Sequence, residues 1–271
     1  MLLVIEIARQ TFLLQLRSRL YWTLMALSIC FAGMFLFVPP NAARVGGDVL
    51  FEVACFLSGF TLVLPFIVLY MAVQAVHGDL EDRTSVYLFT RPVSRVWILL
   101  GKWLAVLVLG ALFAGVAITA LFVVIRYCGR PWEDGALPSL HNYSIYLLGA
   151  GLGVFGYASM GVLLGAFFRR PMLLSMFYIV VEQVASRMPA QAGIHSLTVA
   201  DPVRRFLEGN LEGLERGVRR LLVGRIGQRR SEVLEYAFQD PITSMCKLAV
   251  VVLALALWVY TRRQYDARPV E

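Results

Sequence analysis

Six apolar runs, at about residues 20–38, 49–75, 97–126, 143–168, 172–187 and 242–261, constrain this chain more than any other feature. A hydrocarbon layer of roughly 30 Å is crossed by about 20 residues of helix, and these runs are of that order. Lipid offers no water to backbone groups, so only helices and closed barrels span it. The runs lack the alternation of a barrel strand. Composition agrees: 59% of the residues are hydrophobic and 16% charged, against roughly 45–50% and about 25% in soluble domains. The expected fold is all-α, a polytopic membrane protein with six transmembrane helices. The run at 172–187 is the shortest and carries Glu182 and Gln183 near its end.

The first run is preceded by a segment of different character. Ile5, Ala8, Phe12 and Leu16 recur at helical spacing, while Glu6, Arg9, Gln10 and Arg17 fall towards the other side. Residues 1–19 therefore read as an amphipathic helix lying along the membrane surface, since three arginines would enter lipid only at considerable cost. The six-helix domain occupies 20–262 and a short tail 263–271. Lysine and arginine in short flanks set orientation. With the N-terminus inside, one side holds Arg9, Arg17, Arg19, Arg83, Arg91, Arg95, Lys102, Arg169, Arg170, Arg262, Arg263 and Arg268, and the short outer loops hold Arg44, Arg126 and Arg130. Both termini are expected in the cytoplasm and the chain in the plasma (inner) membrane.

The formal net charge of +7 fits basic flanks meeting anionic lipid headgroups, and no nucleic-acid partner is expected. Cys30, Cys55, Cys128 and Cys246 show no close spacing, and His77, His141 and His195 have no partner at ligand distance in sequence, so no metal site is expected. No serine or cysteine nucleophile sits in a recognisable turn, and Gly101-Lys102 is followed by Trp103, which is not a phosphate-cradling loop. The chain reads as a non-enzyme without a nucleotide site or cofactor of its own. If ATP drives it, another chain binds the ATP and magnesium.

Other signals concern packing. Pro65 falls inside the second run and is expected to kink it. The fourth run holds Gly149, Gly151, Gly153, Gly156, Gly161 and Gly165, including two spacings of four that let helices approach closely in lipid. An extramembrane insertion is expected at 188–241, and nine arginines lie from Arg187 at its edge to Arg230. Asp201-Pro202 and Asp240-Pro241 each combine a capping aspartate with a first-turn proline. The insertion is expected to form two short surface helices that could meet a partner on the outer side. Glu182 is a pathway candidate because carboxylates within spans are functional by default. Gln183 beside it shares that assignment.

The distinctive polar feature is the stretch from His77 to Arg95, HGDLEDRTSVYLFTRPVSR, within the expected coupling loop 76–96 between the second and third runs. Asp79, Glu81, Asp82, Arg83, Arg91 and Arg95 ring an apolar patch, Val86 to Phe89, with Thr84 and Arg91-Pro92 at its edges. Apolar anchors rimmed by charge are the anatomy of a protein interface. Together with Ser94, Gly101 and Lys102, these residues give an order of acidic cluster, threonine, apolar patch, arginine-proline, arginine and glycine-lysine. That order resembles the permease subunits of the ABC-2 type transporter family.

The resemblance implies a subunit that pairs with a second permease copy or homologue and with an ABC ATPase subunit on the cytoplasmic side. In such permeases the N-terminal helix forms an elbow. The loop after the second span docks on the ATPase, which assigns coupling to Asp79, Glu81, Asp82, Arg83, Thr84, Arg91, Pro92 and Arg95. The function implied is ATP-driven export. The alternatives are a non-transporting membrane anchor or assembly factor whose outer helices recruit a partner, and an ATP-independent carrier.

Overall fold

The computed structural model describes residues 2–34, 47–55, 63–81, 94–127, 138–168, 170–185, 198–210 and 240–262. Among these residues all regular structure is helical. Three helices are long and apolar enough to cross a membrane: α5 (Arg95–Tyr127), α6 (Leu140–Phe167) and α9 (Pro241–Arg262). Three shorter apolar helices accompany them: α2 (Arg19–Met34), α7 (Pro171–Ala185) and the Leu64–Gly78 part of α4 (Leu64–Glu81). The remaining helices are α1 (Leu2–Arg17), α3 (Gly47–Ala54) and α8 (Ala200–Asn210).

Within the second apolar run the described residues form α3 and α4, and residues 56–62 between them lie outside the described residues, so the kink expected at Pro65 falls beside a stretch that is not described. Pro65 lies in the first turn of α4.

Helix α6 is the post of the bundle, packing against α4, α5, α7, α8 and α9. Its glycines explain how one helix serves so many neighbours. Gly161 lies against the Leu69 backbone and Ala72 of α4, and Gly165 against Val73 and Val76. Gly149 lies against Leu207 and Gly153 against Val203, both of α8, while Gly156 receives Val199 and the Met245 side chain of α9. The Gly161–Gly165 pair thus seats α4, while Gly149 receives α8 and Gly153 receives both Leu64 of α4 and Val203 of α8. These are close approaches of the kind that small residues permit where lipid gives no hydrophobic drive.

Antiparallel to α6 runs α5. Trp103 Nε1 donates to Ser159 Oγ at 3.1 Å, Thr119 Oγ1 and Tyr143 OH lie 2.9 Å apart, and Arg126 Nη1 donates to the Pro138 carbonyl at 2.8 Å. These ties fix the register along the whole pair. The end at which α4 stops and α5 starts is the loop end; the opposite end, where α5 stops and α6 starts, is the far end. Ser139 caps α6 there, its side chain accepting from the Asn142 N–H at 3.0 Å. At the start of α9, the Asp240 carbonyl accepts from the Ser244 N–H at 3.0 Å and the Thr243 hydroxyl at 2.8 Å. The Asp240-Pro241 signal therefore launches a helix as its chemistry requires.

The first segment of the 188–241 insertion departs from expectation. α8 is not a surface helix: Pro202, Val203, Phe206 and Leu207 are buried, because its apolar stripe fits the notches left by Gly149 and Gly153. The second helix expected in the insertion lies outside the described residues.

Candidate functional site

Two helices bracket the charged interruption, and a third crosses both. α4 continues to Glu81, so Asp79 and Glu81 stand in its last turn, and α5 begins at Arg95, with Ser94 accepting from the Trp97 N–H at 3.1 Å. Arg95 is half-buried at this first position. Asp82, Arg83, Thr84, Arg91 and Pro92 lie outside the described residues. Asp79, Glu81 and Arg95 are therefore brought to the same end of a helix pair that packs directly together.

Helix α1 is separated from α2 by Ser18, whose N–H donates to the Gln15 carbonyl at 3.0 Å. Trp22 Nε1 reaches back to the Leu16 carbonyl at 2.8 Å, closing the corner. Ala8 is buried, and Phe12 and Leu16 pack against the core, while Glu6, Arg9, Gln10 and Arg17 are exposed. Ile5 is not part of the inward stripe and lies exposed with Leu13 and Leu14. The inward place at that level belongs to Val4 and Ile7, which sit over Gly101 of α5. On the other side Gln15 Nε2 donates to the Met71 carbonyl of α4 at 2.8 Å.

Gly101 is six residues into α5, about 9 Å from its start at 1.5 Å per residue. α1 therefore forms a crossbar that packs on α5 near the base of the interruption and reaches α4 through the Gln15–Met71 bond, ten residues before Glu81. Lys102, beside Gly101, is only 3% exposed. This basic residue of the sequence pattern is part of the packed crossing and not of an open charged rim.

The sequence family then decides the reading. A model of the family described as "ABC-2 family transporter protein" matches residues 5–265. The chain belongs to the ABC-2 transporter family. As an ABC-2 family membrane protein it belongs with transport subunits, and the permeases of this family typically pair with an ABC ATPase. Among curated proteins, no sequence matches it.

The second candidate group of this ABC-2 chain lies deeper. Glu182 does not reach water at the end of its run, as its sequence position suggests: it is 1% exposed. Its Oε1 accepts from the backbone N–H of Ala200, the first residue of α8, at 2.8 Å. Tyr157 of α6 and Tyr178, one turn earlier on α7, flank the carboxylate, and Arg204 of α8 lies within its electrostatic reach. Asp201, expected to cap α8, instead pairs with Arg205 at 2.6 Å, one turn along the same face. The capping acceptor thus comes from another helix. Gln183, half-buried, is turned away from Glu182 by the helical step.

Two polar contacts of the ABC-2 chain were not foreseen. Glu52 on α3 is 2% exposed, and Asn142 Nδ2 lies 3.4 Å from its Oε1 at the far end. Phe51 beside it packs edge-on against Phe122 and Tyr146. Gln15, bridging α1 to α4, was the other. A lone polar residue at a helical position that is otherwise apolar is the one signal each offered; the partners are 90 and 56 residues away.

Proposed function

We propose that this chain is the permease subunit of an ATP-driven ABC exporter. It works as a pair of permease copies with separate ATPase chains that bind ATP and magnesium. Six spans, formed by α2, α3 with α4, α5, α6, α7 and α9, carry the chain through the plasma (inner) membrane. Both termini and the 82–93 segment stand on the cytoplasmic side. The exposed tryptophans Trp22, Trp97 and Trp258 at the loop end, with Arg262 stacked over Trp258 at 4.9 Å, support that end as a membrane–water boundary.

The observation that carries the reading is the crossbar: α1 rests on Gly101 of α5 and on Met71 of α4, the two helices that hold the charged segment between them. An ATPase docked on Asp79, Glu81, Asp82, Arg83, Thr84, Arg91, Pro92 and Arg95 would displace a rigid unit of three helices. α6 then passes the motion on, since α4 lies against its Gly161 and Gly165. Bistable packing of this kind is how small shifts at one end become transitions at the other. The family and this geometry favour the exporter over an anchor or an independent carrier.

The test is recovery of the tagged protein from mild detergent with identification of what stays bound. A stoichiometric ATPase is expected, lost in the Glu81→Lys/Asp82→Lys variant while membrane insertion persists. Recovery of intact, folded chain without any ATPase would overturn the proposal.

A further inference from the structure

Among the described spans, the exposed stripes carry no charge away from their ends, with one exception. Leu104, Val108, Leu112 and Val123 make the outward side of α5, and Leu173, Met176, Phe177 and Val180 that of α7, as a lipid-facing helix requires. α9 differs. Its outward stripe runs Lys247, Val251, Ala254 and Trp258, in steps of four, three and four residues, and all four side chains are exposed.

Lys247 is also deep. It stands eleven residues before Trp258, about 16 Å along the helix from the tryptophan at the loop-end boundary. In the other direction Met245 packs on Gly156 of α6, and α6 extends sixteen residues beyond that level to its start at Leu140, about 24 Å further. In a layer of roughly 30 Å the ammonium group therefore stands near the middle, too far from either boundary for its own stem to reach water. The other faces of α9 pack on α5, α6 and α8, and among the described residues no carboxylate pairs with Lys247. A lysine at such a depth is costly and is kept where an anion answers it.

We propose that the Lys247 stripe is the docking seam for a transmembrane helix of another polypeptide, which carries an aspartate or glutamate at the depth of Lys247. Charge and depth choose this occupant. A second copy of the chain has no such group to offer among the described residues, since Glu52 and Glu182, the carboxylates within its spans, are only 2% and 1% exposed. A lipid phosphate rests in the headgroup layer and would lose its hydration to come to Lys247. A helix spans the layer whatever its one polar residue, and brings its carboxylate to that depth as it inserts. The alternating steps of the stripe are those of a helix pair crossing at a shallow angle, and Ala254 lets the backbones come close. The proposal needs α9 to span the membrane and does not need the exporter reading.

The test uses the full chain in phosphatidylcholine vesicles without ATPase or ATP, so its failure is distinguishable from failure of the exporter reading. The probe is a synthetic leucine-alanine helix of about 20 residues, free of tryptophan and with a dansyl group at each end. It is made in two forms, with aspartate or leucine at its centre. Energy transfer from Trp258, taken as the signal that Trp258→Phe removes, reports binding along the stripe.

The aspartate helix should bind at least about tenfold tighter than the leucine helix, the order of one charge-assisted hydrogen bond. That preference should disappear in Lys247→Met, which keeps a long unbranched side chain, and persist in Lys247→Arg. Aspartate and leucine helices that bind the native chain equally would overturn the proposal, and this comparison requires no variant to fold. So would a preference for aspartate that survives Lys247→Met, which would put the cation elsewhere. Transfer unchanged in Trp258→Phe would put the helix on another face and overturn it too. Displacement of the aspartate helix by an equal amount of lysophosphatidate, and not by lysophosphatidylcholine, would assign Lys247 to an anionic lipid and overturn the proposal as well.

Discussion

Replacing Gly161 by alanine tests the seam on which the bundle is built. A methyl group at that position would stand 2.5 Å from the Ala72 Cβ, 3.2 Å from the Leu69 carbonyl oxygen and 3.3 Å from the Leu69 Cα. Carbon atoms rest at about 3.5–4.0 Å, so α4 and α6 must part by about 1 Å. Nothing at the contact can yield instead, since an alanine methyl and a backbone have no rotamer to change. Overpacking of this kind costs about 1–3 kcal/mol, and parting the seam also disturbs Gly165, one turn on, where Val76 and the Val73 backbone pack.

Alanine gains up to about 1 kcal/mol over glycine in a helix interior, so the informative comparison is with Gly151→Ala on the same helix. That methyl would meet nothing within 4 Å and collects only the favourable term. Thermal unfolding in a fixed detergent should place Gly161→Ala below Gly151→Ala by a margin equal to the overpacking cost. At roughly 2–4 °C per kcal/mol for a chain of this size, the gap is about 5 °C near the middle of the range. Adding Ala72→Gly to Gly161→Ala should recover part of it. If Gly161→Ala melts level with or above Gly151→Ala, the two helices are not in backbone contact and the reasoning fails.

Two further substitutions address the crossbar and the far end. Gly101→Ala would put a methyl 2.9 Å from the Ile7 Cβ and Cγ2 and 3.0 Å from the Val4 carbonyl. It should lift α1 from α5 and weaken retention of the proposed ATPase about tenfold, from the same range of overpacking cost. A pull-down titration checks this, and Ile7→Ala should relieve only part because the backbone contact remains. Asn142→Leu withdraws a donor from buried Glu52 and should destabilise by about 1–3 kcal/mol. Asn142→Leu with Glu52→Leu should melt higher than Asn142→Leu alone, because no buried carboxylate is then short of a donor.

The spans of α5, α6 and α9 were legible in the sequence because each is an uninterrupted apolar run with a polar or prolyl start, and nothing else satisfies such a run in lipid. The glycines of α6 were legible as contact points, though not which helix each would receive, since spacing encodes a face and not its neighbour. Ile5 misled because α1 turns its Val4–Ile7 edge towards Gly101, a choice made by the partner helix. Glu182 looked solvent-reaching at the end of its run. A segment 15 or more residues further on folds back over it, and no local pattern announces a cap donated by another helix. Of the coupling residues, Asp79 and Glu81 lie in the last turn of α4 and Arg95 at the first position of α5 rather than in the loop expected at 76–96, because both helices run past the apolar stretches; Asp82, Arg83, Thr84, Arg91 and Pro92 lie outside the described residues.

The meeting of α4 and α6 through Gly161 has a mechanical consequence. Side chains between two helices are springs: they change rotamer and absorb a small displacement before passing it on. Where Leu69 main chain lies on Gly161 there is no spring. A push on the acidic end of α4 is not cushioned at this joint, so whatever stroke reaches Glu81 is delivered to α6 with little lost on the way.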